Sequence, residues 1–131
     1  MLVVEDDDAT RGLVVQVLED AGIASITALD GAHALRTSLA HRPDVVVLDL
    51  GLPGTSGVEF VQQWRERDPD ARDVPVVIVT SDPQGAAIAE QLGAVEFLQK
   101  PFDIESLTTA IRAHAYPSPA VPTVGVPSRS R

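Results

Sequence analysis

Val45–Asp49 reads Val-Val-Val-Leu-Asp, four consecutive apolar residues followed by a single carboxylate. An apolar run without alternation, preceded by Pro43 and followed by Gly51, predicts a strand that is buried on both faces, as in a parallel sheet. In open parallel α/β sheets, ligands bind outside the carboxyl ends of the strands. Asp49 is therefore the leading candidate for a functional residue.

Short apolar runs and helical patterns alternate along the rest of the chain. The other predicted strands are Leu2–Val4, Ile23–Leu29, Val76–Val79 and Val95–Gln99. The predicted helices are Ala9–Ala21, Ala32–His41, a third from a Thr55 or Ser56 cap to before Pro69, a fourth with Pro83 in its first turn and a stop at Gly93, and Ile104–Ala115. Five such repeats predict a three-layer α/β sandwich around a parallel sheet.

Helix ends and buried faces follow from the same patterns. We expect Asp8 to cap the first helix, Gly22 to end it and Asp103 to cap the fifth. The residues expected to face the core on the second, third and fourth helices are Ala34, Leu35, Leu39, Phe60, Val61, Trp64, Ala86, Ala87, Ile88, Ala89 and Leu92.

The length of 131 residues suits one domain, which we place at residues 1–115. From Tyr116 to Arg131 the composition shifts to Pro, Ser, Val and Gly without periodicity. We therefore predict that residues 116–131 are a disordered, Pro-rich tail or linker.

Composition argues against several classes of function. With a formal net charge of −9 and scattered Lys and Arg residues, we expect no direct binding to nucleic acid. The absence of cysteine excludes disulfides, thiol catalysis and cysteine-bound zinc. No apolar run reaches the length of a membrane span, and the chain opens directly into a strand rather than a secretion signal. We expect a cytoplasmic protein without a membrane partner.

Polar residues follow four of the predicted strands. Because parallel strands end at the same edge of the sheet, Glu5, Asp6, Asp49, Thr80 and Lys100 should share one pocket. Two carboxylates about 5 Å apart repel by roughly 3 kcal/mol at an effective dielectric constant near 20. Three converging acids therefore call for a cation, and oxygen ligands favour Mg²⁺, with Mn²⁺ as a substitute.

A carboxylate beside a divalent ion, a lysine and a hydroxyl has the parts for phosphoryl transfer onto the carboxylate. The metal and Lys100 would neutralise the three equatorial oxygens of the phosphoryl group while Asp49 attacks in line.

Four segments of the chain resemble the response-regulator receiver domains of bacterial two-component signalling. They are Val3–Asp7, Pro43–Gly57, Val76–Ser81 and Gly93–Phe102. The resemblance extends from the start of the chain to about Ala115, and the joint order and spacing of the segments make it specific. It implies a flavodoxin-like fold with five helices and a five-stranded parallel sheet in the order 2-1-3-4-5.

The resemblance implies a phosphorylation-dependent regulatory domain rather than an enzyme. Asp49 would accept a phosphoryl group from a phosphohistidine of a sensor histidine kinase or a phosphotransfer protein. Glu5 and Asp6, with Asp49 itself and the backbone carbonyl of Gly51, would hold Mg²⁺. Lys100 would pair with a phosphoryl oxygen.

The same resemblance implies how the modification is read. Thr80 would bind a phosphoryl oxygen, Phe97 would change rotamer, and the Lys100–Pro101 bond would be cis, which costs little before proline. The fourth helix, fifth strand and fifth helix would then present a changed face to a downstream protein partner or to an output domain outside this chain.

Each of these residues also has a simpler interpretation. The acids Glu5–Asp8 could serve only as a favourable helix start. Even with a metal bound, we expect Asp7 to lie beside the ligands without binding the ion, and Asp8 to be the cap. Phe97 could be an ordinary core residue. Two other functions stay open: a Mg²⁺-dependent phosphohydrolase with an aspartate nucleophile, and a protein-binding module that no longer accepts phosphate.

Two of the chain's departures from the common receiver pattern lie at functionally relevant places. Gly51, two positions after Asp49, offers no side chain to shield the phosphoryl group or to act as the second acid of a phosphohydrolase. The interval from Thr80 to Lys100 is slightly short, which predicts a compact or reshaped fourth helix.

Overall fold

Five strands and five α-helices alternate along the residues that this computed structural model describes, 1–51 and 56–114. The strands are β1 (Leu2–Val4), β2 (Ile26–Ala28), β3 (Val46–Leu48), β4 (Val76–Thr80) and β5 (Glu96–Gln99). The helices are α1 (Asp8–Asp20), α2 (Gly31–His41), α3 (Gly57–Arg67), α4 (Gly85–Leu92) and α5 (Ile104–His114). A short 3-10 helix, Pro69–Asp73, follows α3.

The strands form one parallel sheet in the order β2-β1-β3-β4-β5. β3 lies at its centre, with Val47 opposite Val3 of β1 and Val77 of β4. The predicted fold class and strand order are therefore confirmed.

The central strand is buried on both faces, as its unalternating sequence predicts. Val46 and Leu48 belong to a core cluster with residues of α2, α3 and α4, whereas Val45 and Val47 belong to a second cluster with α1 and α5. Since successive side chains of a strand point to opposite faces, these two clusters are the two sides of the sheet. The result is the expected three-layer sandwich.

Several element boundaries differ from the sequence prediction. Asp7, not Asp8, caps α1, because the Asp7 side chain accepts a hydrogen bond from the Thr10 amide and Asp8 is already helical. β2 has only three residues instead of the seven predicted, and its first residue, Ile26, is exposed. β2 is an edge strand whose pairing partner is β1. Because β1 is itself three residues long, the pairing that defines β2 also covers three residues.

Helix α4 begins two residues later than predicted. Pro83 precedes the helix, and Ala86 and Ala87, which were expected in the core, are exposed. On α2, Leu39 is similarly at the surface, and Ser38 is buried in its place. These errors arise because an Ala-rich helix has no sharp apolar stripe to define its inward face.

The aromatic pair of α3 lies in the core, as predicted. Phe60 and Trp64 are almost completely buried, and their rings stack at a centroid distance of 5.6 Å and an interplanar angle of 6°. They belong to the same core cluster as Val46 and Leu48, so they anchor α3 on the central strand.

Two predicted features lie outside the described residues: most of the loop after β3, at positions 52–55, and the predicted Pro-rich tail at 116–131. Among residues 1–51 and 56–114, every helix is too short or too polar to cross a bilayer.

A capping box fixes the start of α3. The Ser56 hydroxyl accepts from the Glu59 amide and the Glu59 carboxylate accepts from the Ser56 amide, both at 3.1 Å. We expect Ser56→Ala to lower the free energy of unfolding by about 1 kcal/mol, because it leaves the Glu59 amide unpaired. Urea denaturation measures the loss, and Thr109→Ala, at an exposed position within α5, is the control. Equal stabilities for the two variants would contradict the capping role.

Candidate functional site

Strand ends bring the predicted acids together. Glu5 directly follows β1 and Asp49 directly follows β3, and a backbone hydrogen bond of 3.0 Å from the Asp49 amide to the Val4 carbonyl keeps the two strand ends side by side. Carboxylate oxygens of Glu5, Asp6 and Asp49 all lie within 4.8 Å of one another. Glu5 and Asp49 are buried, whereas Asp6 is exposed.

Lys100 reaches this cluster from the end of β5. Its ammonium donates to Glu5 Oε1 at 2.9 Å and to Asp49 Oδ2 at 3.1 Å. The other oxygen of each acid accepts from a backbone amide: Asp49 Oδ1 from Gly51 at 3.0 Å and Glu5 Oε2 from Asp7 at 3.2 Å. Both buried carboxylates are thus held in fixed orientations by donors on each side.

The pKa values of the two buried acids are shifted in opposite directions. Burial raises the pKa of Glu5 to about 7, with further upward contributions from the adjacent Asp49, against the opposing effect of Lys100. Burial also acts to raise the pKa of Asp49, but the Gly51 amide, the Glu5 carboxyl and Lys100 outweigh it, so the Asp49 pKa is lowered. Asp49 is therefore the ionised member of the pair, as a nucleophile must be.

The lysine stays charged in this setting. Burial alone would lower the pKa of Lys100, but its hydrogen bonds to Glu5 and Asp49 and their negative charge raise it. The ammonium therefore persists as a cation between the two acids across the physiological pH range.

The residues present fit a divalent cation. Three carboxylates and one ammonium leave an excess of up to two negative charges, all the candidate donors are oxygens, and Asp6 faces solvent where an ion can enter. Hard oxygen ligands with open positions for water suit Mg²⁺. The ammonium between Glu5 and Asp49 already shows that a cation is stabilised at this edge.

Thr80 and Phe97 form a second group on the α4 side of the site. Thr80 is buried at the end of β4, and its hydroxyl accepts from the Asp82 amide at 3.2 Å. Phe97 is partly buried against the core. Both side chains border Gly85, since a Cβ built there would lie 2.6 Å from Thr80 Cγ2 and 2.7 Å from Phe97 Cε1.

The remaining predicted positions lie at the same edge. The Gly51 amide donates to Asp49, and a Cβ at Gly51 would lie 3.8 Å from Asp49 Oδ1, so a side chain here would stand beside that carboxylate. The Lys100–Pro101 peptide bond is cis. Lys100 also continues the strand pairing, because its amide donates to the Thr80 carbonyl at 2.9 Å.

Two residues at the site were not singled out in the sequence. Arg11, in the first turn of α1, contacts the turn that carries Glu5 and Asp6. Gly85 lacks a Cβ and so lets Thr80 and Phe97 pack directly against the first turn of α4. The sequence did contain a signal for each residue. Arg11 is a single arginine shortly after four acids, and Gly85 is a glycine inside a helical pattern, where a glycine usually has a packing reason.

Comparison with known proteins identifies the family. The model of the response regulator receiver domain matches residues 1–112. The chain belongs to this family. The DNA-binding transcriptional regulator NtrC of Escherichia coli K12 is 35% identical over 111 residues, which cover 83% of this chain and 23% of NtrC.

Two further proteins show the range of relatives. The transcriptional regulatory protein PrrA of Mycobacterium bovis is 35% identical over 115 residues, 86% of this chain and 48% of PrrA. The solved structure of chemotaxis protein CheY4 from Vibrio cholerae has a TM-score of 0.78 and 31% identity, and covers 87% of this chain and 96% of that one. The chain thus spans less than half of the two curated regulators and nearly all of CheY4.

The close packing at Gly85 leads to a stability prediction. Gly85→Ala should lower the free energy of unfolding by about 1–3 kcal/mol, because the added methyl group overlaps Thr80 and Phe97. The control is Gly12→Ala in α1, where a Cβ meets nothing within 4 Å and should add roughly 0.5–1 kcal/mol. Chemical denaturation of both variants makes the comparison. A Gly85→Ala protein as stable as Gly12→Ala would contradict the packing.

The raised pKa of Glu5 leads to a prediction about pH. Between pH 4.5 and about 7 the folded protein holds a proton on Glu5 that the unfolded chain has released, so Glu5 makes stability fall as pH rises through this range. Glu5→Gln removes that contribution. Urea denaturation without divalent cations should therefore show a flatter dependence on pH for Glu5→Gln than for the wild type or the exposed control Glu19→Gln. An unchanged slope would contradict the assignment.

Proposed function

We propose that this chain is a phosphorylation-dependent switch in which Asp49 accepts a phosphoryl group from a phosphohistidine of a sensor histidine kinase or phosphotransfer protein. The observation that carries the proposal is the Lys100 ammonium bound to both Glu5 and Asp49, with Asp6 beside them. Membership of the receiver family supports it.

The transfer needs little from the protein beyond charge and position. An oxygen of the ionised Asp49 carboxylate forms a bond to phosphorus as the bond from phosphorus to the histidine nitrogen breaks, and the nitrogen keeps that electron pair. The lowered pKa of Asp49 means that no base is required. Receiver domains are regulatory, and we assign this chain no catalytic turnover of its own.

Magnesium is the cofactor we propose, with Mn²⁺ as a substitute. Glu5, Asp6, Asp49 and the Gly51 carbonyl are the proposed ligands. A bound ion would supply positive charge that offsets the negative charge of the phosphoryl oxygens. The Lys100 ammonium provides the second positive charge. Once Asp49 is phosphorylated, the negative charge lies on the phosphoryl oxygens, so the ammonium can move from the Asp49 carboxylate to one of them.

Thr80 and Phe97 are the proposed readout. Phosphorylation adds about −1.5 to −2 charge units, and the Thr80 hydroxyl is a donor that can turn from its loop contact to the new oxygens. Its methyl group and the Phe97 ring border Gly85 in the first turn of α4. A movement of Thr80 is therefore transmitted to α4 and β5, and the α4, β5 and α5 face is the proposed contact for a partner or an output domain.

The process that the switch controls is proposed from the relatives of this chain and from its charge. NtrC and PrrA are transcriptional regulators, and this chain spans 23% and 48% of their lengths. We propose a cytoplasmic role through a protein partner or output domain. We expect no direct contact of this chain with nucleic acid, because its formal net charge is −9.

Asp49→Asn tests the acceptor. Incubation with acetyl phosphate and Mg²⁺ should add one phosphoryl group to the wild type, detected by intact-protein mass spectrometry, and none to Asp49→Asn, because an amide is not a nucleophile here. Chelation of the metal should abolish the labelling. The control is Asp44→Asn, an exposed acid before β3 at the opposite end of the strand. Equal labelling of Asp49→Asn and the control would refute the proposal.

A further inference from the structure

Arg11 holds the turn that presents the acidic ligands. Its Nη1 donates to the backbone carbonyls of Glu5 at 3.1 Å and Asp6 at 3.4 Å, and its Nη2 pairs with the Asp8 carboxylate. Only 20% of the Arg11 side chain is exposed. The guanidinium is thus packed against the β1–α1 turn rather than extended into solvent.

The turn needs such a clamp because of its own charge. The short connection between β1 and α1, together with the first residue of α1, consists of four consecutive acids, Glu5–Asp8. Neighbouring like charges repel. The Lys100 ammonium holds the Glu5 side chain, and the Thr10 amide holds Asp7. The backbone of Glu5 and Asp6 is fixed from the helix side by Arg11, whose planar fork can hold two acceptors in one arrangement.

We propose that Arg11 is a positioning residue for the cation site: by binding the carbonyls of Glu5 and Asp6, it fixes the backbone from which their carboxylates reach Asp49. The inference rests on the proposed function, because it concerns the affinity of that site for Mg²⁺. The Arg11 guanidinium bonds to the two carbonyls and to Asp8, and none of these hydrogen bonds goes to the carboxylate of Glu5, Asp6 or Asp49. Arg11 acts through the orientation of the residues that bind the ion.

The proposed role and a simple charge effect predict opposite changes in Mg²⁺ affinity when Arg11 is removed. A guanidinium beside the site repels a divalent cation, so if Arg11 acted only through its charge, its removal would tighten Mg²⁺ binding. If Arg11 acts as a clamp, its removal loosens the turn and weakens binding, and residues that orient metal ligands are typically worth about 10–100-fold in affinity.

The test compares Arg11→Met, which keeps the aliphatic stem, with Arg11→Lys, which keeps the charge but loses the fork. The control is Arg36→Met, an exposed position on α2. Mg²⁺ titration of the unphosphorylated protein, followed through the amide NMR signals of Asp49 and Lys100, gives the dissociation constant. Thermal unfolding of each variant without metal shows that the fold is kept.

We expect both Arg11 variants to bind Mg²⁺ roughly 10-fold more weakly than the wild type, with Arg36→Met unchanged. Hydrogen exchange at the amides of Asp6–Asp8 should also quicken in the metal-free Arg11 variants. Wild-type affinity in Arg11→Lys, or unchanged or tighter binding in Arg11→Met, would overturn the clamp. Absence of Mg²⁺ binding to the wild type would instead refute the proposed function, so the two failures are distinguishable.

Discussion

The Lys100 ammonium between two buried carboxylates is the interaction on which the site depends. Glu5 and Asp49 directly follow different strands and lose most of their hydration, so without a cation they would repel each other strongly. One lysine from the end of β5 offsets that cost and fixes their spacing. The arrangement also separates their protonation: burial raises the pKa of Glu5, while amide and ammonium donors keep Asp49 ionised.

The parallel sheet is what brings these residues together, and this part of the site was predictable from sequence. Val45–Leu48 and Val76–Val79 are apolar without alternation, so they had to be buried on both faces, and the rule that parallel strands end at one edge then located Glu5, Asp49 and Lys100. Asp7 rather than Asp8 as the α1 cap was not predictable, because four consecutive acids offer several equivalent caps. The three-residue β2 and the late start of α4 depend on tertiary pairing and on a helix rich in alanine.

The parts that the sequence did not disclose are contacts between elements. Arg11 acts on the turn before its own helix, and Gly85 matters because β4 and β5 place Thr80 and Phe97 against it. Helix α4 itself is held unequally: Arg65 Nη1 donates to the Leu92 carbonyl at 2.7 Å at its end, whereas its start has no side-chain cap and rests on Thr80 and Phe97. The first turn of α4 thus lies directly on the proposed readout residues.

A crystal structure with Mg²⁺ and beryllofluoride, which mimics the phosphoryl group, tests the central claim most directly. We predict beryllium bonded to an Asp49 oxygen, Mg²⁺ on the Glu5, Asp6 and Asp49 carboxylates and the Gly51 carbonyl, and the Lys100 ammonium on a fluorine atom. Beryllofluoride on another acid, or Lys100 turned away from the Asp49 adduct, would contradict it.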